Sequence, residues 1–336
     1  MSALAEALQR SELDHAFLCA GSDEWQRILA EFSERHDPRF ACVVSSPATL
    51  DALQDKAAFS LLLKQLCVPM PTTRLIRSRD DVAELPSTNG TFHFLKPTDS
   101  QRFQVRFGVK GFRVRSTAEA TTRLDQILAA NLGAVLQEYI PGSFTEHHFI
   151  DGYVDRTGAI RALFARRRVR IYPPDFGNST AMVSIPLHEV GGAVDSVRRV
   201  FEAVNYRGIF SAEFKRDPRD GLFKLLEINT RPWWFIDFAV RCGVDVCRMA
   251  YDDALGQEVA NVSEYKIGAT CVYPYYDFFA VQPLVRAGSL SWWRWAYELA
   301  RAYQPVGCWD DPLPGVAGFT RVTTGAMWRR LVRKRP

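Results

Sequence analysis

The stretch Glu213–Arg231, EFKRDPRDGLFKLLEINTR, decides how this chain is read. Its first residues end an apolar run, GIFSAEFK, and Asp217-Pro218-Arg219-Asp220-Gly221 supplies turn chemistry. Leu222 to Asn229 is a second run of strand formers, so the whole reads as a β-hairpin with acids on both arms. Side chains alternate faces along an extended strand, which puts Glu227, Asn229 and Arg231 on one side. With Glu213 on the other arm, two carboxylates, an amide oxygen and a guanidinium point at one spot. A hard cation such as magnesium takes oxygen ligands and only one or two protein carboxylates, keeping its other positions for water and phosphates. Glu213, Glu227 and Asn229 suit that demand, and Arg231 offers a planar fork for a carboxylate or a transferring phosphoryl group. Taken alone, the same residues more often describe the solvated outer face of an ordinary hairpin, with Glu213 paired to Lys215 or Arg231.

The rest of the chain bounds the answer. Its 336 residues, 47% hydrophobic, suffice for two or three packed units with a real core. A net charge of +4 does not call for a broad nucleic-acid-binding face. The first twenty residues carry Glu6, Arg10, Glu12 and Asp14 without an apolar run, so no secretory signal is expected. The longest apolar run, Cys271–Val285, is broken by Pro274, Asp277 and Pro283 and is too short and polar to span a bilayer. Seven cysteines without CxxC pairing suit reduced thiols, and together these features predict a soluble cytoplasmic protein.

Residues 15–44 read as strand, helix and strand, one βαβ step of a short opening α/β domain over 1–54. Asp55 opens a helix carrying Phe59, Leu62, Leu63 and Leu66 at helical spacing, stopped by Pro69 and Pro71, with Lys56 in its first turn. Phe92–Lys96 is a strand, TDSQRFQVRFGVKG a polar loop, and FRVRS a second strand. Such a loop can fold backbone N–H groups over phosphates, although glycine-bearing hairpin loops are common for conformational reasons alone. Ser116 and Glu119 form a capping box for a helix presenting Leu124, Ile127 and Leu128 on one face. Ala134–Ile140 is a strand stopped by Pro141-Gly142, and Phe144–Tyr153 with Gly158–Tyr172 form a long hairpin.

The second arm of that hairpin carries Arg161, Arg166, Arg167, Arg168 and Arg170, which predicts either a solvated face or one turned to phosphate. A helix follows with Val190, Val194, Val197, Val200, Phe201 and Val204 inward. Beyond the central hairpin, Trp233 and Trp234 read as core or pocket wall, leading into a helical stretch through Ala254. Lys266–Tyr276 reads as a last strand and SWWRWAYELARAY as a helix. The chain ends in MWRRLVRKRP, whose cations suit an anionic membrane surface or RNA, or simply a solvated tail.

The succession of Asp55-Lys56, CVPMP (Cys67–Pro71), FLKP (Phe94–Pro97), QEYIPG (Gln137–Gly142), AEF (Ala212–Phe214) and LEINTRP (Leu226–Pro232) resembles the ATP-grasp superfamily. The match is to the branch of biotin carboxylase, carbamoyl-phosphate synthetase and the carboxylate–amine ligases, over about residues 45–255; it rests on the combination, since no single motif suffices. The resemblance implies an α/β (α+β) fold, two α+β subdomains gripping the nucleotide over 55–260. A short Rossmann-like α/β domain precedes them at 1–54, and a strand, helices and basic tail follow at 261–336. It implies ATP and Mg2+ (or Mn2+) as cofactors, Lys56 and Lys96 on phosphates, and Gln137, Glu138 and Ile140 at the adenine, with Glu146 at the ribose. Glu213, Glu227 and Asn229 match the metal ligands, Arg231 the substrate-binding arginine, and Arg168 the group facing the γ-phosphate.

The implied activity is a C–N-bond-forming ligase that activates a carboxylate as an acyl phosphate and joins it to an amine, releasing ADP and phosphate. The alternative is a catalytically weak nucleotide-binding protein with a regulatory or assembly role, suggested by the glycine-poor loop and the short opening domain. Partners are small-molecule carboxylates and amines and not nucleic acid, with a homodimer compatible with the sequence. The sequence does not fix which acid and amine are joined.

Overall fold

The computed structural model describes residues 6, 10, 13–34, 37, 39–83, 92–98, 100–109, 111–174, 177–306, 311, 313–318 and 320. The basic tail Arg329–Pro336 lies outside them, and so do Asp99 and Lys110 of the expected phosphate loop.

The opening unit pairs β1 (Ala16–Phe17) in parallel with β2 (Phe40–Ala41) across α1 (Asp23–Ser33), the expected βαβ step. Ser22 caps α1 by accepting from the Trp25 N–H. α2 (Pro47–Gln54) runs into α3 (Lys56–Gln65), whose cap is Asp55, accepting from the N–H groups of Ala57 and Ala58. That cap offsets the cost of Lys56 at the positive end of the helix.

A four-stranded sheet follows in the order β3-β6-β4-β5. Its members are β3 (Thr73–Ile76), β4 (His93–Pro97), α4 (Ser100–Phe107), β5 (Phe112–Val114), α5 (Thr117–Ala129) and β6 (Ala134–Glu138). Here α4 replaces the expected polar loop. Phe103 is fully buried and packs at a tilt on Phe107 and edgewise on Phe112, so an i,i+4 aromatic pair supplies a face that the polar residues around it conceal. On α5, Leu124 and Ile127 are buried as expected, but Leu128 is 36% exposed and lies off the core face.

The larger sheet has the order β11-β10-β7-β8-β9-β12. It is built from β7 (His147–Val154), β8 (Ile160–Tyr172), β9 (Asn178–Ser184), α6 (Gly191–Val204), β10 (Gly208–Arg216) and β11 (Phe223–Asn229). α7 (Ile236–Arg241), α8 (Val246–Ala254), β12 (Thr270–Val272), α9 (Pro274–Arg286) and α10 (Trp292–Arg301) complete the described chain. The last strand is thus shorter than Lys266–Tyr276, because Pro274 suits a first helical turn and starts α9 there.

One face of this sheet packs Ile150, Phe210, Ala212, Phe214, Leu225 and Ile228 against Val197, Val200 and Phe201 of α6 and Phe59 and Leu63 of α3. The opposite face is apolar at one end, where Tyr153, Phe164 and Ile209 meet Phe238 and Val246. Its other end is charged. Strand alternation brings His147 and Asp151, Ser211, Glu213 and Lys215, and Arg166, Arg168 and Arg170 to that end. The arginines are not a solvated face: Arg166, Arg168 and Arg170 are 3%, 6% and 6% exposed. No helix among the described residues is long and apolar enough to cross a membrane.

Candidate functional site

The hairpin read from the sequence is β10–β11, antiparallel, with Glu213 and Glu227 directly opposite each other and Ser211 opposite Asn229. A bulge just beyond Glu213 sets Phe214 opposite Leu225, keeping both apolar side chains in the core while the two acids stay on the charged face. Arg231 lies past the strand end. Its Nη2 donates to Asn229 Oδ1 at 3.1 Å and its Nε to Asp23 Oδ1 of α1 at 2.9 Å. The structure therefore joins Glu213 to Glu227 and Asn229 to Arg231, and adds Asp23, which no local motif announces.

Glu213 is held by two further groups. Arg168 Nη2 donates to its Oε1 at 3.0 Å, and His147 Nδ1 lies 2.7 Å from the same oxygen. Arg168 is itself fixed by Nε donating to Ser179 Oγ at 2.8 Å. Burial lowers the Arg168 pKa, with Arg166 adding to the effect against the attraction of Glu213. Burial also lowers the His147 pKa, with Arg168 and Lys215 reinforcing it against the pull of Glu213. An imidazole with a lowered pKa and a buried guanidinium thus flank one carboxylate. His147 was missed because a histidine beside Glu146 carries no signal of its own; its partner is 66 residues away.

The flanking arginines also have acids. Arg166 donates to Asp151 at 2.5 Å and stacks over Phe149, its carbon 4.1 Å from the ring centre. Arg170 donates to Asp277 at 2.9 Å and to Glu298 at 2.8 Å.

By the C-terminal end of β4 in the four-stranded sheet, Lys56 Nζ donates to the Pro97 carbonyl at 3.1 Å and Lys96 Nζ to Gln137 Oε1 at 2.6 Å. Lys56 thus reaches the last residue of β4, next in sequence to Lys96. Glu138 is bound to Arg219 and accepts from the Thr72 N–H at 3.0 Å; burial would raise its pKa, but these bonds outweigh that and lower it. Ile140 is buried, and its carbonyl accepts from Lys215 Nζ at 2.7 Å. Lys215 also reaches the Gly142 carbonyl and sits 4.7 Å from the centre of the Tyr139 ring. Burial, with Arg168 nearby, brings its pKa down to about 8. Glu146 closes a 3-10 turn, and its carbonyl bonds His148 Nδ1 at 2.9 Å. Lys215, two residues from Glu213 on the same face, is thus the link between the acidic hairpin and the Gln137–Gly142 segment.

The donor set fits a hard divalent cation by its chemistry: two facing carboxylates and one amide oxygen, all oxygen, with cations close by to balance added phosphate charge. Among the described residues no group of three or more His, Cys, Asp or Glu side chains is gathered as a metal cluster. A cavity of about 480 Å3 lies elsewhere, lined by Thr157, Gly158, Arg198 and Arg207, and shares none of these residues. Trp233 is buried, its indole N–H without a partner among the described residues, and Trp234 is half-exposed against Tyr273.

No protein-family model matches the chain. A D-aspartate ligase from Enterococcus faecium is 23% identical over 244 residues, covering 70% of this chain and 58% of that one. The biotin carboxylase domain of 2-oxoglutarate carboxylase from Hydrogenobacter thermophilus superposes with a TM-score of 0.65 at 14% identity, covering 80% of this chain and 60% of that one. N5-carboxyaminoimidazole ribonucleotide synthetase from Thermotoga maritima superposes with a TM-score of 0.55 at 16% identity, covering 81% and 65%. The chain spans less than two thirds of the length of each of these three proteins. With a four-stranded and a six-stranded sheet in sequence, and facing acids on the second, the chain has the ATP-grasp fold.

Proposed function

We propose that the protein is an ATP-dependent ligase that activates a carboxylate as an acyl phosphate and joins it to an amine. The single observation that carries this reading is the Glu213–Glu227 pair, with Asn229 and Arg231 at one end and Arg168 fixed on Glu213. Similarity to a D-aspartate ligase, and a like-folded structure described as a complex with MgADP, support it.

In this reading Lys56 and Lys96 hold nucleotide phosphates, Gln137, Glu138 and Ile140 border the adenine, and Glu146 meets the ribose. Glu213, Glu227 and Asn229 would hold magnesium or manganese, which would supply charge neutralisation to the nucleotide phosphates. Arg231 orients the substrate carboxylate, whose oxygen attacks the γ-phosphorus as the bond to ADP breaks. Arg168 faces the oxygens of the moving phosphoryl group. The amine then attacks the acyl carbon, phosphate leaves, and the nitrogen loses a proton. Phosphoryl transfer is mostly positioning and charge neutralisation, so no side-chain nucleophile is required. We place this chemistry in the cytoplasm, and keep 1–54, 55–260 and 261–336 as the proposed division of the chain, open to limited proteolysis.

The test is ADP release with magnesium, ATP and a panel of paired acids and amines. Glu227→Gln is expected to lower turnover by about 10²–10³-fold or more without changing the unfolding midpoint. Unchanged turnover removes the metal assignment. Tight ATP binding with no ADP from any pair favours the binding-only protein.

A further inference from the structure

We propose that the outer face of α10 is a docking surface for an anionic lipid bilayer. The helix has two sharply different sides. Inward, Trp295 Nε1 donates to Asp277 Oδ2 at 2.8 Å, and Asp277, fully buried, also accepts from Arg170 and from Thr180 Oγ1 at 2.7 Å. Trp292 stacks on Phe278, ring centres 5.6 Å apart, and Glu298 bonds Arg170. These contacts fasten α10 to β8 and fix which side faces out.

Outward stand Trp293, 87% exposed, Tyr297, 62% exposed, and Arg301, at i, i+4 and i+8, with exposed Ala296 and Ala300 beside them. The Arg301 guanidinium carbon lies 5.4 Å from the Tyr297 ring centre, and Arg294 is exposed at the margin. The one acid of the helix, Glu298, accepts from Arg170 beneath it and from Arg294 at the margin, so the stripe of Trp293, Tyr297 and Arg301 with its alanines carries aromatic, methyl and cationic groups and no carboxylate. An amphipathic helix with tryptophan and tyrosine on one face and arginine at its edges suits the headgroup layer of a membrane.

Charge elsewhere in the chain names the lipid. From Trp292 onward there are eight of the 42 Lys and Arg residues and three of the 38 Asp and Glu residues, a surplus of five positive charges. The 291 residues before it balance to within one charge. The whole positive excess of the sequence therefore lies from the start of this helix onward, and within the helix Arg294 and Arg301 are exposed; a negative leaflet attracts such a segment. A second copy is a poorer occupant, because pairing this face with itself sets arginine against arginine with no acid. RNA is poorer too, because the centre of the stripe is apolar.

The test uses the full chain in sedimentation with vesicles of phosphatidylcholine alone and of phosphatidylcholine mixed with phosphatidylglycerol. Binding is expected to the mixed vesicles only, weakening as salt rises. The double variant Trp293→Ser, Tyr297→Ser is expected to lose binding on the order of tenfold while keeping the parent's circular dichroism and ATP affinity. Three results overturn the proposal: no sedimentation with anionic vesicles, binding by the double variant equal to the parent, or loss on deleting residues 321–336 when the double variant still binds. Capture by RNA, or a dimer abolished by the double variant, in the absence of vesicle binding also overturns it. None of these outcomes bears on ADP release, so the ligase reading stands or falls separately.

Discussion

Asp151 and Asp23 each pair with an arginine, and burial separates what the two pairs are worth. Asp151 is fully buried against Arg166, whereas the side chains of Asp23 and Arg231 are 41% and 24% exposed. Removing one partner of a buried pair strands a charge, so Asp151→Asn is expected to cost about 3–5 kcal/mol in urea unfolding. Asp23→Asn should cost under about 1 kcal/mol by the same measurement. At this scale the sequence disclosed the acids and the asparagine, because a period-two strand puts Glu227 and Asn229 on one side without outside help. It did not disclose the environment of Arg166, Arg168 and Arg170. Their acids are Asp151, Glu213 and Asp277, set 15, 45 and 107 residues away, and a run of arginines looks the same whether water or a distant carboxylate neutralises it.

The turn between β7 and β8 shows how an element can be held by one side chain. Asp155 accepts from the N–H groups of Thr157 and Ala159, from the Thr157 hydroxyl and from Arg161 Nε. Burial alone would raise its pKa, but these bonds outweigh burial and bring it to about 2. Since the folded value lies below the ordinary 3.8, the stabilisation is present above about pH 4 and is lost as pH falls toward 2. Asp155→Asn is expected to cost about 2 kcal/mol at neutral pH, a gap that urea titrations should show closing in acid. Within β7, a Cβ on Gly152 would stand 2.2 Å from the Ala162 carbonyl oxygen and 2.9 Å from the Phe210 ring. The carbonyl belongs to a paired strand and cannot step aside, so Gly152→Ala should destabilise by about 3 kcal/mol or more in thermal or urea unfolding. Most elements were legible because strand alternation, turn residues and caps such as Ser116 and Asp55 are local. The Ser100–Phe107 helix was not, because its apolar side rests on Phe103 and Phe107 amid glutamine and arginine.

Across the molecule, the proposed reading draws the nucleotide site from separate elements: Lys56 of α3 and Lys96 of β4 on one side, the acids of β10 and β11 on the other. A nucleotide touching both halves binds the folded chain alone. ATP with magnesium at a hundredfold excess over its Kd is therefore expected to add about 2.7 kcal/mol to unfolding stability. Scanning calorimetry at several ATP concentrations checks this, and a transition that ignores ATP would separate the two halves. The fold as a whole was legible from the order of short motifs; the anchoring of α10 was not, since it depends on Asp277 meeting a strand a hundred residues earlier. The Asp23–Arg231 pair has one more consequence. In the proposed reading Arg231 does not wait bare: a substrate acid arriving from solution would have to evict a tethered rival that belongs to the opening unit. That unit would then act as a resident competitor, screening out anions too feeble to win the exchange, with a hold that slackens as ionic strength climbs.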